Sequence, residues 1–416
     1  MALTDATTID PALGAAYSER KLERLSDAAL VRDVACAVKR PRRDPADSFV
    51  LHAPLELAAR AALLPYVDPR RREDARLRIF SISSEYAAFG PPADQPAPVE
   101  FAKAADAATR LSSAIDDGDL DAVDAVAAWL GEQTTGSELR ALLADAVVPR
   151  LSAAAHGSIF LYHLPRIAPR RELTAELLRP LARELARYPT WQLTWPSTRQ
   201  SGSSRSIAAV ELFDALARTP ALGVPGSTFI FPLMSQAETS GIAADLLAGP
   251  TSGVALDEGA RTIMRAAAWS MLLEPDDHAP YGWTHCLTLP QAVLGIASAC
   301  TDPRAALAIA ATYVVGFRAA LAREPLVPAF RAPDPHIDLE GALAREPRSA
   351  AAAVWHAAPE AHTDIVGELA TWASVHPDAH FVKYTLACID AAAWDPTHAQ
   401  LYLSAAAKLA GFWTGS

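Results

Sequence analysis

Apolar side chains recur along this chain every three to four residues, the spacing that gathers them on one face of an α-helix. The pattern runs through residues 55–67, 103–115, 119–131, 137–163, 173–187, 205–217, 259–273, 289–301, 304–323, 364–374, 379–393 and 398–412, and it predicts a helix in each. Ala and Leu fill most apolar positions, with Glu and Arg between them, and all four favour helix. Strict alternation is confined to Trp191–Trp195 and Ser227–Phe231, which suit extended loops as readily as strands. The pattern predicts an all-α fold: a single large multi-helix domain with long Pro-rich loops and few or no short strands.

Proline punctuates the helical stretches. Gly90–Pro98 reads as a loop between an N-terminal unit and the main body, residues 195–206 as a polar loop, and residues 324–338 as a third loop with four prolines. None is long enough for a domain linker. Residues 1–50 are expected to form an N-terminal extension with the first helices and residues 51–416 the helical domain, or 1–416 one continuous domain. No fixed-period repeat is visible.

Composition narrows the partners. With 416 residues, 51% of them hydrophobic and 20% charged, the chain can bury a sizeable core. A net charge of -11 argues against a nucleic-acid or anionic-membrane partner. The basic clusters Lys39–Arg43 and Arg70–Arg72 read as solvated surface. No stretch is expected to span a bilayer, and Met1–Thr8 lacks the basic start of a signal peptide. Cys36, Cys286, Cys300 and Cys388 form no CxxC pair and suit free thiols in a reducing cytoplasm.

Several chemistries lack their motifs. There is no GxGxxG after a strand, no phosphate loop, no HExxH helix and no GxSxG elbow, so NAD, FAD and nucleotide sites are unsupported. The Glu-x-x-His pairs of di-iron bundles are missing too.

What remains is histidine and one lysine. In His376-Pro-Asp378-Ala-His380-Phe-Val-Lys383, Asp378 is placed to cap a helix, which puts His380 and Lys383 three residues apart on one apolar face. A buried lysine has a lowered pKa and can be a neutral amine. Such an amine captures carbon dioxide as a carbamate, an anionic oxygen ligand. Three more histidines sit beside apolar helical stretches. His52 precedes Pro54, expected in the first turn of the next helix; His156 has His163 seven residues later on roughly the same face; His285 is expected just ahead of a helix opening near Pro290. His163, His356 and His362 otherwise read as core histidines satisfied by a carbonyl or carboxylate. His278, His336, His376 and His398 read as surface or turn positions. Each unpaired buried imidazole carries a penalty of roughly 1–3 kcal/mol, which one shared metal would remove for all. Imidazoles with an oxygen anion suit iron, zinc, copper or nickel, and four imidazoles plus one oxygen leave an octahedral ion one open position, as oxygen activation by non-haem iron requires.

The segments His52 before an Ala/Leu helix, Ala155-His156-Gly-Ser-Ile-Phe160, Thr284-His285-Cys-Leu-Thr288 and His380-Phe-Val-Lys383 resemble the questin oxidase-like family, from about residue 50 to 400. The resemblance implies a mainly helical oxygenase that cleaves the ring of an aromatic polyketide or related secondary metabolite, in a Baeyer–Villiger-like or dioxygenase manner. It implies Fe(II) held by His52, His156 (or His163 in its place), His285, His380 and a carboxylated Lys383. A small aromatic substrate and dioxygen would meet there, with Trp283, Trp355, Phe381 and Tyr384 as candidate pocket wall. Three other readings compete: a metal-free helical enzyme using Lys383 as base or nucleophile, a zinc hydrolase on the same histidines, and a non-catalytic α-helical scaffold.

Overall fold

The computed structural model describes residues 11–42, 48–167, 171–197, 206–333, 338–343 and 346–414. It is all-α: among the described residues there are twenty α-helices and no sheet, only the isolated bridges Arg42 to Pro92 and Arg150 to Gln192. One contiguous hydrophobic core runs from Tyr17 to Ala410. The early helix Asp27–Val38 packs on the helices Ser48–Leu63 and Arg72–Ala87, so the N-terminal segment shares that core.

Four helices position the site: Ser48–Leu63, His156–Ile167, Pro280–Ile296 and Ala379–Trp394. Each packs against the next in that order, and the fourth returns to the first. The result is a closed four-helix ring, an arrangement in which facing side chains meet in a common centre. Two helices open earlier than expected. Pro54 lies inside Ser48–Leu63 and Pro290 inside Pro280–Ile296, so His52 and His285 sit within helices and not ahead of them. Proline inside a helix costs about 3 kcal/mol, and packing on both neighbours overrides that local preference. The 137–163 stretch is two helices, Gly136–Val147 and His156–Ile167. The first opens on a capping box between Thr135 and Glu138. The break falls at residues 148–155, where alanines prolong the apolar pattern through a non-helical turn.

Other helices escaped periodicity. Arg72–Ala87 buries Arg76 and Arg78, which bond to Asp27, to the carbonyls of Leu22 and Leu25, and to the Val375 carbonyl. Charged residues on the inward face erase the helical signature. The strand-like run Ser227–Phe231 ends in the first turn of the helix Ile230–Thr239. Pro303–Leu321 corrects the expectation about membranes: by length and composition it could cross a bilayer, but most of the helix is buried within the protein. His336 and residues 198–205 of the polar loop lie outside the described residues.

Arg60 locks the ring. Its guanidinium is 1% exposed, pairs with Glu56, and donates to the carbonyls of Ser374 and His376 at 2.7 Å each. It thereby ties the His52 helix to the turn that leads into the His380 helix. Arg60→Ala would leave Glu56 and two carbonyls buried without a donor. Urea unfolding is expected to show a loss of about 3–5 kcal/mol, and a loss under about 1 kcal/mol would show that the tie is dispensable.

Candidate metal centre

The helix ring brings four imidazoles into a second, smaller ring. Centroids of His52 and His156 are 4.9 Å apart, His156 and His285 5.3 Å, His285 and His380 5.0 Å, and His380 and His52 4.6 Å. The ring contacts follow the same cyclic order as the helices. One ligand nitrogen each from His52, His156 and His285 lies within 4.8 Å of the others. Two imidazole nitrogens on opposite sides of one ion stand about 4.2 Å apart, so small ring rotations suffice to share it.

Three of the rings are held by the nitrogen that faces away. His156 Nδ1 is 2.8 Å from the Ala154 carbonyl and 3.1 Å from that of Ala153. His285 Nδ1 is 2.7 Å from the Tyr281 carbonyl. His380 Nδ1 is 3.3 Å from Asp378 Oδ1. Acceptors on that side make Nδ1 the donor and leave Nε2 with its lone pair, the arrangement that orients metal-binding histidines. His285 Nε2 is buried and has no hydrogen-bond partner. An acceptor nitrogen desolvated in this way fits a metal ion.

The fold holds strain at this point. Ala153, Ala154 and Ala155 all have positive φ, at 53°, 50° and 57°. Left-handed alanine costs roughly 1–2 kcal/mol per residue. This turn aims its carbonyls at His156 Nδ1. It is fastened from behind by Leu151 N–H on the Trp191 carbonyl and Leu193 N–H on that of Pro149. Ala279, also left-handed at φ 45°, precedes Pro280 at the start of the His285 helix. Strain concentrated at two approaches to one cluster is a mark of a functional site. Gly157 completes the placement, because a Cβ there would stand 2.7 Å from Val147 Cγ1.

Lys383 joins the cluster as the fifth group. Its Nζ is 3.4 Å from His156 Nε2 and the residue is 4% exposed. Desolvation pushes the amine down to about 8, partly opposed by Glu56 and Asp378. At neutral pH a fraction of it is therefore the nucleophilic free amine. Desolvation, with Lys383 nearby, also holds His52 and His156 well below the ordinary histidine value. For His285 desolvation is followed by His380 and then Lys383. His380 is lowered by desolvation and Lys383, against the pull of Asp378. All four are thus neutral at pH 7 and able to ligate.

Asp378 caps the His380 helix as expected, accepting from the N–H groups of His380 and Phe381. It also accepts from the Tyr281 hydroxyl at 3.0 Å. Tyr281 is 49% exposed and lies edge-on to His380 at 4.8 Å and to Trp413 at 5.8 Å, at the surface side of the cluster. Spacing hinted at both residues, since Tyr281 is one helical turn before His285 and Asp378 two residues before His380. Nothing in the sequence pointed to the Ala153–Ala155 turn.

His156, and not His163, lies in the ring of four imidazoles. Seven residues put His163 about 10 Å further along its helix. There it is 4% exposed, packs on Tyr162 and has an unpartnered Nδ1, outside the ring of four. Three of the four residues expected to wall a pocket are enclosed by protein. Trp283, Phe381 and Tyr384 have no accessible surface, so protein packs them on all sides, and Trp355 sits against Trp269 and Phe330. Two other readings change as well. His356 is exposed and not in the core, while His376 is buried, its Nδ1 accepting from the Asp378 N–H. The chain matches no family model, no curated protein and no solved structure.

Two outcomes follow from this geometry. Ala154→Gly relieves left-handed strain and is expected to gain up to about 1 kcal/mol in urea unfolding, whereas Ala154→Val loses about that much or more; the reverse order would contradict the strain. His163 is pushed down to about 3 by desolvation, so the unfolded chain binds its proton first as pH falls. Its contribution is complete above pH 6.5 and is lost toward pH 3, with a slope of about 1.4 kcal/mol per pH unit. His163→Phe should flatten the acid limb of the stability curve by that slope, and an unchanged limb would refute its burial as a neutral ring.

Proposed function

We propose that this protein is a mononuclear non-haem iron oxygenase acting on a small aromatic substrate. The observation that carries the reading is the closed circuit of His52, His156, His285 and His380 around one desolvated volume, with Lys383 3.4 Å from His156. Four neutral nitrogens offer a dication no compensating charge. A carbamate on Lys383 would provide it: the free amine bonds to the carbon of carbon dioxide, and the displaced proton leaves to solvent. The five residues would then hold iron(II) with one position open, and the iron would supply the one-electron chemistry that lets dioxygen react with a closed-shell aromatic molecule.

The protein's own part is orientation and dryness. Asp378 and the carbonyls of Ala153, Ala154 and Tyr281 fix the rings, and the apolar helices keep water away. The short-motif resemblance to questin oxidase-like enzymes supports the same reading and suggests ring cleavage of a polyketide-type substrate. A cytoplasmic setting belongs to the proposal too, since Cys36, Cys286, Cys300 and Cys388 form no disulfide.

The depressed pKa and burial of Lys383 also favour a second reading, a metal-free enzyme using that amine as base or Schiff-base nucleophile. Elemental analysis of protein purified anaerobically with bicarbonate separates the two. About one iron per chain is expected, lost in His285→Ala and Lys383→Ala, together with a carbamate signal from labelled bicarbonate in carbon NMR. Stoichiometric zinc would move the reading to a hydrolase. Absence of any stoichiometric transition metal, with borohydride trapping of a carbonyl compound on Lys383, would replace it by the amine mechanism.

A further inference from the structure

The three helices that carry His156, His285 and His380 also wall a cavity at a distance from the centre. Tyr162 lies six residues beyond His156, Gln291 six beyond His285 and Asp390 ten beyond His380, about 9, 9 and 15 Å along their helices. The cavity measures 560 Å³ and shares no residue with the histidine cluster. Such a volume is typical of sites that take small organic molecules.

Its lining has a chemical bias. Leu256, Met264 and Leu307 give it aliphatic walls, and the rings of Tyr162 and Trp394 give it flat ones. The polar groups are mostly acceptors. Asp257 and Asp390 bring carboxylates, and Gln291 spends an amide N–H on the Ala387 carbonyl at 2.7 Å, which leaves its oxygen for a ligand. Among the described residues no cationic side chain lines the space; Arg166, the partner of Asp390 at 2.7 Å, stands outside the lining. An anion would meet two carboxylates there and no free positive charge. A flat neutral molecule that donates hydrogen bonds would match both the rings and the acceptors.

We propose that this cavity is a second binding site, separate from the histidine centre, for a neutral planar aromatic molecule bearing a hydroxyl or amine donor. The proposal does not rest on the oxygenase reading, because the cavity and the cluster have no residue in common.

Two positions test it without touching the centre. Ala260 lines the cavity from the helix Leu256–Leu273, and a tryptophan there would occupy part of it. Gly295 lies against the Tyr162 ring, and a Cβ would overlap that ring and displace it from its place in the cavity wall. Calorimetric titration of the full-length protein with 2-naphthol should show one saturable site, with the same affinity before and after removal of any metal. The affinity should fall at least tenfold in Ala260→Trp and at least threefold in Gly295→Ala, judged on whichever variant keeps wild-type helicity by circular dichroism. 2-Naphthoate should bind at least tenfold more weakly than 2-naphthol. No saturable site, wild-type affinity in a folded variant, or naphthoate binding as tightly as naphthol would each overturn the proposal. Protein that binds naphthol in this way but takes up no stoichiometric iron on anaerobic purification would sink the oxygenase reading alone.

Discussion

Desolvation of nitrogen is the constraint on which this structure turns. Four imidazoles and an amine share one buried volume, and three of the rings, those of His156, His285 and His380, are held at Nδ1 by two carbonyl-bearing turns and the Asp378 carboxylate. Burial keeps the rings neutral. Neutral rings cannot repel each other as cations would, yet their lone pairs gain nothing from one another. His285 Nε2 shows the cost most plainly, being buried with no partner. The proposed ion at the centre would resolve that cost for several groups at once.

The rest of the fold reads as support for that volume. Arg60 ties the first site helix to the turn before the fourth, and Arg78 adds a bond to the same turn at the Val375 carbonyl. The Arg150–Gln192 bridge stiffens the approach to the left-handed alanines. Asp378 joins helix cap, His380 and Tyr281 in one carboxylate. Each tie acts on a segment that leads into one of the rings, so errors in helix placement have little room to accumulate at the cluster.

How much of this was legible depends on how local the cause is. The all-α fold follows from apolar spacing alone, and the Asp378 cap with His380 and Lys383 on one face follows from a few adjacent residues. The convergence of His52, His156, His285 and His380 had a chemical motive in the sequence but no geometric one, since contacts between residues hundreds apart leave no periodic trace. Helix starts were misread at Pro54 and Pro290, where tertiary packing outweighs the local preference of proline. The Ala153–Ala155 turn was invisible, because three alanines look like helix and their left-handed state exists only under restraint from both sides. The Arg72–Ala87 helix hid for the opposite reason: Arg76 and Arg78 point into the core.

The most direct test of the account is anomalous diffraction at the iron edge from crystals grown anaerobically with iron(II) and bicarbonate. The account predicts a single peak about 2.1 Å from Nε2 of His52, His156, His285 and His380, with added density on Lys383 Nζ. A map with no peak among these rings, or with iron bound by other side chains, would contradict it.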